Sequence, residues 1–138
     1  MKHENEIALI SGITGYMATW VAKKLLEEGY RVRGTYRSEK RLPYIKKILP
    51  GVELVQTDLN SDAGWDDAFK DVTAFFHVAS PQAVATEHDR TGTAMKGVDN
   101  VFAAAFRASS LRKIVLTSSE AAVAYGKQNK TMYGRLQI

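Results

Sequence analysis

The length, composition and charge of the chain set the first limits on its class. Its 138 residues, 45% of them hydrophobic and 25% charged, suffice for one globular domain with its own core. The absence of cysteine excludes disulfides, thiolate zinc sites and a cysteine nucleophile. No apolar run reaches the ~20 residues that cross a membrane. The polar start at 1–6 does not fit a signal peptide, so we expect a cytoplasmic protein with no membrane partner.

The net charge of +4 is concentrated in one short segment. Five basic residues stand there against a single glutamate: Arg37, Lys40, Arg41, Lys46 and Lys47. The ordinary interpretation is a solvated helix face. No nucleic-acid partner is expected, because no zinc-finger or RNA-recognition signature accompanies the cluster. A third interpretation, a phosphate site for a cofactor, depends on where the cluster falls in the fold. The three histidines are scattered, so no metal site is expected.

Strand-like and helix-like segments alternate along the chain. A buried strand at 7–10 precedes a helix that stops at Gly29. The apolar stripe of this helix consists of Met17, Val21 and Leu25 with their neighbours Ala18, Ala22 and Leu26. Further strands are predicted at 30–36, 52–56, 73–79 and 114–116, and further helices at 42–49, 63–69 and 92–109. Such alternation implies a parallel sheet with helices on both faces. Right-handed crossovers favour the strand order 3-2-1-4-5, an α/β, Rossmann-type doubly wound fold.

A glycine-rich loop joins the first strand to the first helix. Gly12 and Gly15, followed by Ala18, give the spacing G-x-x-G-x-x-A. Gly12 permits a tight turn, and Gly15 lets the backbone approach a pyrophosphate at the N-terminus of the helix. A tight turn that binds nothing is the alternative, but the strand–loop–helix context is the one that the motif requires.

The end of the second strand indicates which dinucleotide is bound. NAD-binding folds usually place an acid there to hold the ribose 2′-hydroxyl, whereas this chain has Tyr36-Arg37-Ser38. A guanidinium pairs with a 2′-phosphate that a carboxylate would repel. We therefore predict NADP (NADPH) as the cofactor, with Arg37 as its phosphate ligand. After the third strand, Asp58 and Leu59 fit either a helix cap or a wall of the adenine pocket.

Five motifs occur together in one order along the chain. They are Gly12-x-x-Gly15-x-x-Ala18, Tyr36-Arg37-Ser38, Asp58-Leu59, His77-Val78-Ala79-Ser80-Pro81 and Leu116-Thr117-Ser118-Ser119. Over about residues 6 to 126, the chain thereby resembles the extended short-chain dehydrogenase/reductases. The most similar group contains dihydroflavonol 4-reductase, cinnamoyl-CoA reductase and the yeast-type ketone and aldehyde reductases. The resemblance implies an NADPH-dependent carbonyl reductase that transfers hydride to a small-molecule ketone or aldehyde.

The resemblance also implies a role for particular residues. Gly12, Gly15, Tyr16 and Met17 would lie along the pyrophosphate. Arg37 would hold the 2′-phosphate, with help from Lys46 or Lys47. Asp58 and Leu59 would border the adenine, and Val78, Ala79 and Ser80 the ribose and nicotinamide. Ser119 would be the catalytic serine that hydrogen-bonds the substrate carbonyl, with Ser118 as the neighbouring candidate.

The chain departs from the family pattern after the fifth strand. The family's chemistry uses Tyr-x-x-x-Lys on one helix face, but Tyr125 is followed four residues later by Asn129 and Tyr133 by Gln137. We therefore interpret residues 1–126 as a truncated NAD(P)-binding domain and 127–138 as an irregular tail, with the later strands and the substrate lobe absent. Such a chain is expected to be inactive alone.

Two further expectations concern partners and alternative functions. The apolar stripe of the 92–109 helix, with Val98, Phe102, Ala105 and Phe106, would lack its usual cover, which predicts self-association or marginal stability. A non-catalytic NADP-binding sensor or scaffold is one alternative function. A sugar-nucleotide epimerase or dehydratase fragment is the other, and Arg37 argues against it because those enzymes usually carry an acid after the second strand.

Overall fold

The computed structural model describes residues 2–80 and 90–119, in which helices cover both faces of a parallel sheet. The elements are β1 (Ile7–Ile10), α1 (Tyr16–Glu27), β2 (Arg31–Tyr36), a 3-10 turn (Glu39–Arg41), α2 (Leu42–Ile48), β3 (Glu53–Gln56), α3 (Trp65–Phe69), β4 (Val72–His77), α4 (Arg90–Arg107) and β5 (Lys113–Leu116). Every pairing is parallel and the strand order is β3-β2-β1-β4-β5, which confirms the predicted fold class. The predicted tail at 127–138 lies outside the described residues.

The hydrophobic core consists of two layers, one on each face of the sheet. Strand β1 is buried along its whole length, as a central parallel strand should be, and its side chains alternate between the two layers. One layer lies under α1 and α2 and includes Ala8, Ile10, Val32, Ala22 and Ile45. The other lies under α3 and α4 and includes Leu9, Phe75, Trp65, Phe69 and Val101. Full burial of each large apolar side chain contributes about 1.5–3 kcal/mol.

Two elements differ from the prediction by two residues at one end, in each case because a side-chain oxygen accepts backbone N–H groups there. Strand β4 ends at His77 rather than at residue 79, since the N–H groups of Val78 and Ala79 donate to the Ser11 hydroxyl. Helix α3 begins at Trp65 rather than at residue 63, since the Ala63 N–H donates to Ser61 Oγ at 3.1 Å.

The helices also place some predicted core residues differently. Met17 is 57% exposed, because the buried face of α1 runs through Ala18, Ala22 and Leu25, one position further round the helix. Helix α4 begins and ends two residues before the predicted bounds of 92 and 109. Its end is set by the Ala108 N–H, which closes a turn onto the Ala105 carbonyl.

In the described ranges, neither α4 nor any other helix is long and apolar enough to cross a membrane.

Candidate functional site

A cleft of about 690 Å³ lies at the carboxyl ends of β1 to β4. Ligands of open α/β sheets bind at this edge, and the volume is in the range of small-molecule sites. The cleft is lined by Gly12, Thr14, Gly15, Tyr16, Met17, Ala18, Thr35, Tyr36, Arg37, Ser38, Arg41, Thr57, Asp58, Leu59, Asn60, Trp65, Val78, Ala79 and Ser80.

The structure brings the predicted cofactor residues together in this cleft. All ten line it: Gly12, Gly15, Tyr16, Met17, Arg37, Asp58, Leu59, Val78, Ala79 and Ser80. Lys46 and Lys47, which the sequence offered as helpers of Arg37, lie on α2 and are not part of the lining. Ser118 and Ser119 are exposed just after β5, the strand next to β4, and do not line the cleft.

Backbone hydrogen bonds hold the glycine-rich loop over the end of β2. The Gly12 N–H donates to Thr35 Oγ1 at 3.1 Å, and the Ile13 N–H donates to the Thr35 carbonyl at 2.8 Å. Gly12 has a φ of 70°, in the left-handed region that favours glycine. A Cβ atom on Gly12 would lie only 3.0 Å from the Cβ of Ala79, so the loop and the segment after β4 touch.

The glycine-rich loop leads into the N-terminus of α1, and this helix end is suited to binding an anion. Gly15 is the N-cap residue and supplies no side-chain hydrogen bond, and the first turn contains no acidic residue. The first N–H groups of a helix have no partners within it, and the helix dipole adds a partial positive charge there. This end of the cleft therefore suits a phosphate or pyrophosphate.

Two arginines form the basic side of the cleft. Arg37 follows β2, and Arg41 ends the 3-10 turn, which brings it back to the cleft beside Arg37. Gln56 Nε2 donates to the Arg37 carbonyl at 3.1 Å and so holds that backbone against β3. Within the described part of the chain, neither guanidinium is paired with a carboxylate. Arg41 belongs to the basic cluster of the sequence but was not among the predicted site residues, because the 3-10 turn that brings it to the cleft was not predicted.

Asp58 and Leu59 form the opposite wall. Asp58 Oδ1 accepts the Asn60 N–H at 2.9 Å, and the Asp58 carbonyl accepts Trp65 Nε1–H at 3.1 Å. The Leu59 carbonyl accepts Asn100 Nδ2–H from α4 at 2.8 Å. Asp58 lines the cleft, but it caps a turn and not a helix, since α3 begins only at Trp65 and its N-cap residue is Gly64.

The remaining wall is anchored by a buried hydrogen-bond network. Ser11 Oγ lies 2.9 Å from the nitrogen atoms of Val78 and Ala79 and 2.9 Å from His77 Nδ1. Ser11 is fully buried, and His77 is only 4% exposed, as expected for a hydrogen-bonded histidine in a central strand. Burial lowers the pKa of His77 below its ordinary value, which favours the neutral ring.

These features fit a dinucleotide. A helix N-terminus and two guanidiniums that have no carboxylate partner among the described residues line one cleft, and the Arg41 guanidinium lies over the Tyr44 ring at 5.9 Å. Arg37 and Ser38 directly follow β2, where an NAD-binding site usually has an acid. Among the described residues, no group of three or more histidine and acidic side chains could hold a metal ion. Fold and cleft together define a dinucleotide-binding domain.

Comparison with known proteins identifies the family. The model of the NAD dependent epimerase/dehydratase family matches residues 8–135, so the chain belongs to that family. Tetraketide alpha-pyrone reductase 1 of Arabidopsis thaliana is 36% identical over 123 residues, which is 83% of this chain and 38% of that protein. The bifunctional dihydroflavonol 4-reductase/flavanone 4-reductase of Malus domestica is 30% identical over 142 residues, or 96% of this chain and 41% of that protein.

Solved structures agree with this assignment. Gre2 from Candida albicans, crystallised with NADPH, matches with a TM-score of 0.75 at 28% identity over 85% of this chain and 38% of its own. Vestitone reductase from alfalfa matches with a TM-score of 0.69, also at 28% identity, over 84% of this chain and 37% of its own. The chain thus spans about two fifths of the length of these relatives and corresponds to part of the fold that they share.

Proposed function

We propose that this chain is the NADP-binding part of a carbonyl reductase that transfers hydride from NADPH to a ketone or aldehyde. The observation that carries the proposal is the arginine pair. Arg37 and Arg41 line the cleft at the end of β2, where an acid would select NAD. The NADPH complex of Gre2 supports the choice by analogy. An arginine here argues against a sugar-nucleotide epimerase or dehydratase, the other enzyme class of this fold.

Each side of the cleft has a distinct task in this proposal. The glycine-rich loop and α1 hold the pyrophosphate, and the two arginines hold the 2′-phosphate. Asp58 and Leu59 border the adenine, and the segment 78–80 borders the nicotinamide. When bound, NADPH supplies the hydride. Ser119, just past the carboxyl end of β5, would donate a hydrogen bond to the substrate carbonyl.

Neither Tyr125 nor Tyr133 is followed by lysine four residues later. We therefore propose that these 138 residues bind NADP without turnover, as a non-catalytic NADP-binding protein also would. Turnover of a carbonyl substrate by this chain would contradict that part of the proposal.

Calorimetric titration with NADPH and NADH tests the assignment of Arg37. Arg37→Ala should weaken NADPH binding by about 1.5–3 kcal/mol, or about 10- to 150-fold, because a charged hydrogen bond to the 2′-phosphate is lost. NADH has no 2′-phosphate, so its affinity should change little. Lys47→Ala removes the same charge outside the cleft and serves as the matched control. Equal losses in the two variants would indicate only a general electrostatic effect, and equal losses for the two cofactors would exclude a 2′-phosphate contact.

We also propose that α4 mediates self-association with a second copy of the chain. Met95, Val98 and Phe106 are 62%, 39% and 80% exposed, whereas Phe102 is partly buried against the core and Ala105 is fully buried. Of the predicted stripe, only Val98 and Phe106 are therefore exposed and available to an interface. Exposed apolar patches of this kind favour association.

Sedimentation equilibrium tests this association. Phe106→Glu should lower the association constant by about tenfold or more, because a charge cannot be buried unpaired in the interface. Lys96→Gln changes the charge of α4 by the same amount at an exposed polar position and should leave association unchanged. A monomeric unmodified chain at high concentration would refute the proposal.

A further inference from the structure

The Ser11 hydroxyl is the meeting point of the two segments that line the cofactor end of the cleft. Ser11 directly precedes Gly12 of the glycine-rich loop, and its oxygen accepts the N–H groups of Val78 and Ala79, both at 2.9 Å. These bonds turn the chain out of the sheet after His77 and bring Ala79 against Gly12. One buried oxygen thus fixes the position of the 78–79 wall relative to the loop.

The same hydroxyl determines where the proton of His77 resides. A serine oxygen has two lone pairs and one hydrogen. Both lone pairs accept backbone N–H groups, so the hydrogen is directed to His77 Nδ1, which lies 2.9 Å away. An Nδ1 that accepts must be unprotonated, which leaves the ring hydrogen on Nε2. The network therefore requires a neutral histidine in one tautomer.

The surroundings of the ring keep it in that state. Its described ring neighbours are Phe75 and Phe102, with centroids at 5.6 Å and 6.0 Å, and Leu116 is its register partner on β5. No charged side chain of the described residues shifts the pKa of His77, and burial alone lowers it. Protonation of Nδ1 would bring three donors to the two lone pairs of Ser11 Oγ, so that one of the hydrogen bonds from the Val78 and Ala79 N–H groups would be lost.

We propose that Ser11 and His77 are positioning residues for the cofactor: their hydrogen bond, in the Nε2–H tautomer, holds the Val78–Ala79 wall against the glycine-rich loop and thereby sets cofactor affinity. This inference rests on the proposed function, since it presumes a dinucleotide in the cleft. Neither residue lines the cleft, so their effect is transmitted through the backbone of residues 78 and 79. It acts on the part of the site that NADPH and NADH share.

The tautomer is tested on the unmodified chain by long-range proton–nitrogen NMR of the imidazole ring. Hydrogen on Nε2 with a bare Nδ1 is the expected result, and an Nδ1–H ring would overturn the proposal. This measurement needs neither a variant nor a bound cofactor. It therefore decides on the hydrogen bond even if Ser11→Ala does not fold.

Cofactor affinity is tested with Ser11→Ala and His77→Asn. Ser11→Ala leaves two partly buried N–H groups without this acceptor and should weaken NADPH and NADH binding by the same factor, about tenfold. That pattern differs from Arg37→Ala, which affects NADPH alone.

His77→Asn keeps an acceptor near the position of Nδ1 but cannot titrate. For the unmodified chain, NADP⁺ affinity should fall as the pH drops through the pKa of His77. The His77→Asn variant should not show this fall of affinity with pH. The titration of the cofactor's own 2′-phosphate should affect both proteins alike.

The outcomes separate this inference from the proposed function. An unmodified chain that binds NADPH, together with a Ser11→Ala variant that binds it equally well, would overturn the positioning role alone. An identical pH profile for His77→Asn and the unmodified chain would do the same. Failure of the unmodified chain to bind either cofactor would overturn the proposed function and, with it, the role of the pair in cofactor binding.

Discussion

Gly34→Val is expected to destabilise the domain by about 3 kcal/mol, at the upper end of the usual cost of overpacking. A Cβ atom on Gly34 would lie 2.6 Å from both Cβ and Cγ1 of Ile13, a residue of the glycine-rich loop. Valine forms strands better than glycine does, so propensity alone predicts the opposite sign. Urea unfolding at neutral pH measures the difference.

A double-mutant cycle identifies Ile13 as the cause. Ile13 is fully buried, so Ile13→Ala alone should cost about 2–5 kcal/mol. Alanine removes two of the three close carbon atoms, and the double variant should therefore lose less than the sum of the two single losses. Additive losses, or a Gly34→Val protein as stable as the unmodified chain, would show that Ile13 does not fill this space. Because Ile13 is next to Gly12, Gly34→Val should also weaken cofactor binding.

The fold was predictable because its signals are local. The buried run 7–10, the glycine pair that follows it and the later apolar strands at regular intervals each identify one element from adjacent residues. Right-handed crossovers then leave one natural order for the five strands, and the structure has that order. The central strands β1 and β4 are buried as their apolar composition predicts.

The errors lie where contacts are long-range. The end of β4 depends on Ser11, 67 residues from Val78 in sequence, and nothing in the segment 77–79 indicates that its N–H groups leave the sheet. The exposure of Met17 has a similar origin, because periodicity shows which side chains share a face, whereas the packing against the sheet decides that the centre of the buried face is Ala18 and Ala22 rather than Met17.

The basic cluster shows the same limit at the site. Apart from Arg37, nothing in the sequence distinguishes the members of the cluster from one another. Only the geometry of the 3-10 turn separates Arg41, which lines the cleft, from Lys46 and Lys47, which do not. The motif carried by Arg37 could be read from the sequence because its position is defined by the end of a strand. The second arginine reaches the cleft through the 3-10 turn, which the sequence pattern does not predict.

Arg33→Met is expected to cost about 3 kcal/mol of stability, near the lower end for breaking a buried ion pair, because Glu53 is partly solvated. The Arg33 side chain is only 12% exposed, against 38% for Glu53. Its Nε donates to Glu53 Oε2 at 2.9 Å, and Nη1 donates to the carbonyls of Ala68 and Lys70 at 2.9 Å and 2.6 Å. These carbonyls end α3 and lose this donor in the variant. Urea unfolding measures the loss.

Arg31→Met is the matched control, because Arg31 bonds the same carboxylate but is 58% exposed and should contribute about 0–1 kcal/mol. Equal losses in the two variants would contradict the structural role of Arg33.

The pH dependence of the stability provides a second measurement. Partial burial raises the pKa of Glu53, but the hydrogen bonds and charges of Arg33 and Arg31 outweigh it, and the pKa lies below the ordinary 4.5. The folded state therefore binds this proton less readily than the unfolded state does. The stabilisation is complete above pH 4.5 and is lost as the pH falls through the lowered pKa, so Glu53→Gln should flatten the acid limb of the stability profile.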